Sequence, residues 1–241
     1  MPPNGTWYVG VVIPACNEEA SIATAIRSVR QAIDTCPSTH ASWITVVADS
    51  CWDRTCAEAA EALEGAGEII ECSFRSVGRA RRLGVASQLR RFSMADPTRL
   101  WLASTDADSK VPPEWIATQL GLAERSSAAV AGVVRAVAAD DLSPGTLAEL
   151  LEDYDIYPDG THPHVHGATL GVRADAYLDA GGWSDLALAE DHCLWKRLKE
   201  RGWRVTSSCA VWVETSGRLL GRAQGGFADL LRSKLERLHA D

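Results

Sequence analysis

Two acidic pairs in this sequence have spacings that could do chemistry. Residues 101–108 read Trp-Leu-Ala-Ser-Thr-Asp-Ala-Asp, an apolar run that stops at two carboxylates, Asp106 and Asp108. Side chains alternate along a strand, so carboxylates at i and i+2 leave its end on the same side. A hard divalent cation takes such oxygen ligands and can bind phosphate oxygens in turn. The plainer reading is a solvated turn closing a strand. The second pair, Glu190-Asp191, precedes Leu194, Trp195 and Leu198 at helical spacing, which puts the acids at a helix start. There they could simply complement the helix dipole. Partly desolvated, Asp191 could instead serve as a general base. His162, His164 and His166 alternate before Gly167, and on a strand all three would share one face. That spacing suits a transition metal or a pocket wall, and the expectation for His164 and His166 is the pocket. His192, beside Asp191, could serve either way.

The elements that must position these groups alternate through the first half. Residues 9–13 are a β-branched run closed by Pro14, a buried strand. Asn17-Glu18-Glu19 opens a helix carrying Ile22, Ala25, Ile26 and Val29, with the acids expected in its first turn. Residues 44–47 form the next strand, ending at Asp49-Ser50-Cys51-Trp52-Asp53, with Asp53 as cap of a helix running to about residue 64. Residues 68–72 are a third strand, 76–91 a very basic helix, and 99–104 the strand that delivers Asp106 and Asp108. Repeated strand–helix units imply parallel pairing with right-handed crossovers, and function at the carboxyl ends of the strands. Beyond Pro112-Pro113 the expected order is helix 114–125, strand 129–137, helix 143–154, loop 155–163 and strand 165–172. A Gly181-Gly182-Trp183 turn, helix 190–201, strand 205–213 and an amphipathic helix 227–238 complete it.

The chain has 241 residues, 46% hydrophobic and 23% charged, enough for one large α/β domain with a sizeable core. Its formal net charge of −8 argues against nucleic acid as a partner, since phosphate backbones demand basic surface. No apolar stretch approaches the roughly 20 residues of a membrane span, and the N-terminus lacks the basic region of a signal peptide. Seven cysteines form an odd set without a C-x-x-C pair, which points to reduced thiols and a cytoplasmic location.

Four segments, in this order, resemble the family 2 glycosyltransferases. They are Val-Val-Ile-Pro-Ala-Cys-Asn-Glu-Glu (11–19), Val-Val-Ala-Asp-Ser-Cys-Trp-Asp-Arg-Thr (46–55), Thr-Asp-Ala-Asp (105–108) and Ala-Glu-Asp-His-Cys-Leu-Trp-Lys-Arg-Leu (189–198). The resemblance implies the GT-A fold of nucleotide-diphospho-sugar transferases, a single α/β domain whose mixed, mostly parallel sheet is flanked by helices. Residues 1–110 would form its nucleotide-binding half, 111–215 the acceptor and catalytic half, and 216–241 a closing loop and helix. It implies transfer of a sugar from a nucleotide-diphosphate donor to an acceptor hydroxyl, with Mn²⁺ or Mg²⁺ as cofactor.

Carried over by position, Pro14, Ala15, Asn17 and Glu18 resemble the loop around base and ribose, and Asp49 the acid that contacts the base. Ala48 stands where the family often has another acid. Arg81 matches the arginine after the third strand. Asp106, Ala107 and Asp108 match the metal-binding D-x-D, with Asp108 on the ion, and Glu190-Asp191 matches the acid pair that ends in the catalytic base. Displacement opposite the leaving group would invert the anomeric centre. Arg218 and Arg222, in a glycine-containing tail, could grip the diphosphate as a mobile loop closes or belong to an irregular linker. His164, His166, Trp183 and His192 are the acceptor-pocket candidates, for a small-molecule or lipid-linked acceptor. The last helix is expected on its own domain, with peripheral membrane or dimer contact as the alternative. Two other classes compete. A sugar nucleotidyltransferase would carry a Gly-rich basic loop where this chain has Ala15-Cys16-Asn17-Glu18-Glu19, and a nucleotide-binding module without catalysis would have no need of Asp191.

Overall fold

Residues Trp7–Ala15 form β1, and seven of these nine residues are buried because the strand lies mid-sheet with both faces covered. The computed structural model describes residues 6–137, 143–150, 154–186, 189–219 and 227–238. In chain order β1 is followed by α1 (Ile22–Asp34), β2 (Thr39–Asp49), α2 (Thr55–Leu63), β3 (Gly67–Cys72), α3 (Val77–Arg91), β4 (Leu100–Ser104) and β5 (Ser109–Lys110). Then come α4 (Trp115–Glu124), β6 (Ala129–Val137), α5 (Pro144–Leu150), β7 (Leu170–Arg173), α6 (Ala174–Asp179), α7 (Glu190–Glu200), β8 (Val205–Ser216) and α8 (Phe227–Leu238).

All eight strands join one sheet ordered β3-β2-β1-β4-β7-β6-β8-β5. β1 runs parallel to β2 and β4, β2 to β3, and β6 to β8, while β7 is antiparallel to β4 and β6, and β5 to β8. The sheet is therefore mixed, with parallel pairs in the majority. The chain leaves β1 toward β2 and β3, then returns to β4 on β1's other side. That reversal opens a crevice at the carboxyl ends of β1 and β4, where α/β sheets take their ligands.

One buried cluster joins Val9, Val11 and Ile13 of β1 to Ile22, Ile26 and Val29 of α1 and to Trp115 and Ile116 of α4. The other joins Val12 to Ala80 and Val85 of α3 and to Leu194, Trp195 and Leu198 of α7. Each packs on one pleat face of β1, because odd and even residues point opposite ways. A Cβ on Gly84 would collide with the Val12 side chain, so this glycine is what lets α3 lie directly on β1.

Several sequence expectations are corrected. Glu18 and Glu19 are not in the first turn of α1, which begins at Ile22 and carries no acid there. Asn17 adopts φ 54°, and the N–H groups of Glu18 and Glu19 are tied to Thr55 and Asp53 at the start of α2. Residues 165–172 are not one strand. The Gly167 N–H is taken by a carboxylate, Gly167–Thr169 forms a 3-10 turn, and pairing starts only at Leu170. The helix expected over 143–154 is observed as Pro144–Leu150, with residues 151–153 outside the described set. Neither β5 nor α6 was expected, both being too short for a hydrophobic period to register. In α8, Leu231 packs on Leu147 and Leu150 of α5, while the side chains of Phe227, Leu230 and Leu238 lie outside the described set. No helix among the described residues is long and apolar enough to cross a membrane.

Candidate active site

The loops after β1 and β2 are stitched together by groups the sequence placed on them. Glu18 N donates to Thr55 Oγ1 at 2.7 Å, Glu19 N to Asp53 Oδ2 at 3.2 Å, and Trp52 N to Asn17 Oδ1 at 3.0 Å. Asp53 also accepts from Thr55 N at 3.0 Å, but the cap position of α2 is held by Arg54 and not, as expected, by Asp53. Ala15 O accepts from the Cys51 thiol at 3.4 Å, and Pro14 is half-buried at the end of β1. Asp49 is buried, and its two oxygens accept Arg75 N at 2.8 Å and Ser76 N at 2.9 Å. It thus fixes the turn into α3, whose cap is Ser76.

Asp106 and Asp108 leave the end of β4 around a buried Ala107. Arg218 donates to both oxygens of Glu18, at 3.1 and 2.7 Å, and lies 2.9 Å from Asp108 Oδ2. Burial, with the negative charge of Asp106, pushes the Asp108 carboxyl up to about 6, against the pull of Arg218. Among the described residues carboxylates outnumber the guanidinium here, an arrangement that favours a further cation. Asp108 also forms one wall of an open cleft of about 290 Å³, with Ser21, Thr24, Lys110 and Thr215.

Arg81, buried on α3, reaches across the crevice. Its Nε donates to Ser104 Oγ at 3.1 Å, Nη2 to Asp106 Oδ1 at 2.5 Å, and Nη1 to Glu190 Oε1. Gly167 gives it room, since a Cβ there would fall inside the guanidinium. Trp183, a core residue 2% exposed, lies below with its ring centre 5.3 Å from Arg81 Cζ. Burial raises the Glu190 carboxyl, and Arg81 opposes that shift.

Asp191 opens α7, as the sequence predicted for the acid pair. Its Oδ2 accepts Gly167 N at 2.9 Å and its Oδ1 accepts His192 N at 2.7 Å. The His192 side chain is exposed. The three alternating histidines do share a face, although on irregular backbone. The rings of His162 and His164 are 5.9 Å apart, those of His164 and His166 are 5.8 Å apart, and Tyr154 stacks on His164 at 3.9 Å. Among the described residues no three His, Cys, Asp or Glu side chains converge to hold an ion by themselves. An ion of the Mg²⁺ type needs only one or two carboxylates when phosphate oxygens join them.

Backbone strain marks the same place. Non-glycine residues at positive φ include Asn17 (54°), Ser50 (61°), Arg75 (50°) and Ala189 (58°), each in a loop around the crevice. Such geometry costs about 1–2 kcal/mol per residue and concentrates at functional sites. Thr55, Ser104 and Tyr154 are site residues that sequence reasoning did not single out. Arg222 lies outside the described residues.

The sequence model of Glycosyl transferase family 2 matches residues 10–177, which contain β1 from Gly10 onward, the D-x-D and the Gly167 turn. The chain belongs to glycosyl transferase family 2. The mannosyltransferase PcManGT from Pyrobaculum calidifontis, in complex with GDP-Man and Mn²⁺, superposes with a TM-score of 0.64 at 18% identity, over 100% of this chain and 67% of that one. S. aureus TarS 1–349, in complex with UDP-GlcNAc, does so with a TM-score of 0.63 at 15% identity, over 91% of this chain. This family 2 chain spans 61% of the TarS 1–349 chain. The likeness to these two is one of fold, the GT-A architecture. No curated protein matches the chain.

Proposed function

We propose that the protein is a metal-dependent glycosyltransferase moving a sugar from a nucleotide-diphosphate donor to an acceptor hydroxyl, with Asp191 as general base. The observation that carries this reading is the Arg81 bridge. One buried guanidinium holds Asp106 at the β4 end and Glu190 at the α7 start, which sets the metal acids and the base acid at one crevice.

In this reading residues 1–110 bind the donor. Pro14, Ala15, Asn17 and Glu18 face the nucleoside, and Asp49 shapes that wall by holding the turn into α3. Asp108, with Asp106 beside it, holds Mn²⁺ or Mg²⁺; the hard carboxylate oxygens and the excess of negative charge suit either ion. When bound, the cation supplies Lewis-acid neutralisation of the departing diphosphate. Arg218 sits on Asp108 and Glu18, placed to exchange those carboxylates for phosphate oxygens. Arg81 acts through Asp106. Residues 111–215 receive the acceptor beside His164, His166 and His192, while Trp183 supports the floor under Arg81. Asp191, held by two backbone N–H groups, takes the proton of the attacking hydroxyl. Attack opposite the diphosphate inverts the anomeric centre.

Asp191→Asn is the direct test, with UDP-GlcNAc and GDP-mannose as probes. The variant is expected to bind nucleotide as the unmodified protein does and to lose about 10²-fold or more in turnover. Unchanged turnover would overturn Asp191 as the base.

A further inference from the structure

His166 is the one of the three alternating histidines that adjoins the turn bound to Asp191, and its surroundings define its state. Val134 N donates to Tyr154 Oη at 3.1 Å, and Tyr154 Oη lies 3.0 Å from His166 Nε2. A phenol has one proton. With an N–H already donating into its oxygen, the phenol has its own proton to give to His166 Nε2. The hydrogen bond made by one ring nitrogen decides which nitrogen carries the proton, so a donating Tyr154 makes His166 the Nδ1–H imidazole. The next residue, Gly167, donates its N–H to Asp191 Oδ2, so ring and carboxylate are held from one short turn.

Resting on the reading of Asp191 as the base, we propose that His166 and Tyr154 are its positioning residues. Tyr154 keeps the imidazole neutral in one tautomer, and the neutral ring leaves the Asp191 carboxylate unpaired for the acceptor proton. Burial holds His166 down to about 4, while Asp191 is the charge that pulls it upward most. Among the described residues His164, His192 and His162 act on the ring in the opposite direction. Asp191 in turn faces Arg81 and Glu190. Without the Tyr154 hydroxyl, Nε2 is open to protonation. The resulting imidazolium would pair with Asp191 and hold its lone pair from the substrate.

The test uses the full chain, with ring-nitrogen NMR of His166 from pH 8 to 5.5 in the unmodified protein and in Tyr154→Phe. The expected result is a neutral Nδ1–H ring throughout in the former and a higher midpoint in the latter, where burial still opposes the charge but the hydroxyl bond to Nε2 is gone. In that variant kcat with UDP-GlcNAc or GDP-mannose falls more at pH 5.5 than at pH 8, in proportion to the fraction of rings that the measured midpoint leaves protonated. KM for the donor stays constant. His166→Gln, which cannot titrate, is the second variant: it lowers kcat at constant donor KM and removes the extra pH dependence from Tyr154→Phe. An Nε2–H ring, a midpoint near 6.5 in the unmodified protein, or a midpoint unmoved by Tyr154→Phe overturns the proposal. Turnover by Asp191→Asn would sink the base assignment itself. An inactive Asp191→Asn beside an unaltered Tyr154→Phe pH profile would sink only the positioning role.

Discussion

Replacing Arg81 by methionine strands a buried carboxylate. The Arg81 and Glu190 side chains are 4% and 6% exposed, while Asp106 is 36% exposed and can be rehydrated. Removing one partner of a buried ion pair costs about 3–5 kcal/mol, mostly the penalty of the charge left behind. A domain of this kind has only about 5–15 kcal/mol to lose. Arg81→Met should therefore lower the urea midpoint sharply without changing the slope of the transition. Arg81→Met with Glu190→Gln removes both charges and should recover about 2 kcal/mol of that loss. The sign of the pH effect follows from Glu190. Burial already raises its carboxyl, and Arg81 is what opposes the shift, so without Arg81 it rises further. An acid whose folded pKa lies above its unfolded one destabilises at high pH and ceases to do so as pH falls through the folded value. The Arg81→Met defect should accordingly shrink from pH 7 to pH 5. A loss below about 1 kcal/mol, the range of exposed pairs, or simple additivity of the two substitutions, would refute the bridge as the tie between the two acid sites.

Gly167→Ala places a methyl group inside the Arg81 guanidinium. It should cost about 1–3 kcal/mol and lower the melting temperature by several degrees, and an unchanged melt would show that Arg81 yields freely. His166, held down to about 4 by burial, is neutral in the fold while the unfolded chain takes a proton below about 6.5. Stability should fall by about 3 kcal/mol as pH drops from 6.5 to 4, and His166→Gln should remove that part of the slope in urea titrations. Ala189, at φ 58°, should gain about 1 kcal/mol on replacement by glycine. A loss instead would mean that its methyl group makes contacts worth more than the strain.

How far the sequence could be read depended on how local each cause was. β1 and β4 were legible because a strand covered on both faces is a continuous apolar run, and the acids of α7 because the apolar period Leu194, Trp195, Leu198 follows them. The start of α1 was misplaced because Glu18 is held by Thr55, 37 positions later, and no local pattern encodes that bond. Arg81 was singled out by its match to the family, but its burial was not legible. Its burial comes from Glu190 and Asp106 and from the space Gly167 leaves, all long-range. Tyr154 was passed over as a helix end because its significance lies in Val134 and His166. The strain at Asn17, Ser50, Arg75 and Ala189 is invisible in sequence, since none is the glycine that usually signals positive φ.

The most direct test of the account is calorimetric titration of UDP and GDP into the protein, with and without Mn²⁺, repeated on Asp108→Ala. One of the two nucleotides is expected to bind more tightly when Mn²⁺ is present, and Asp108→Ala is expected to abolish the metal-dependent part alone. Binding of either nucleotide with no dependence on Mn²⁺, or a metal-dependent gain that survives Asp108→Ala, would contradict it.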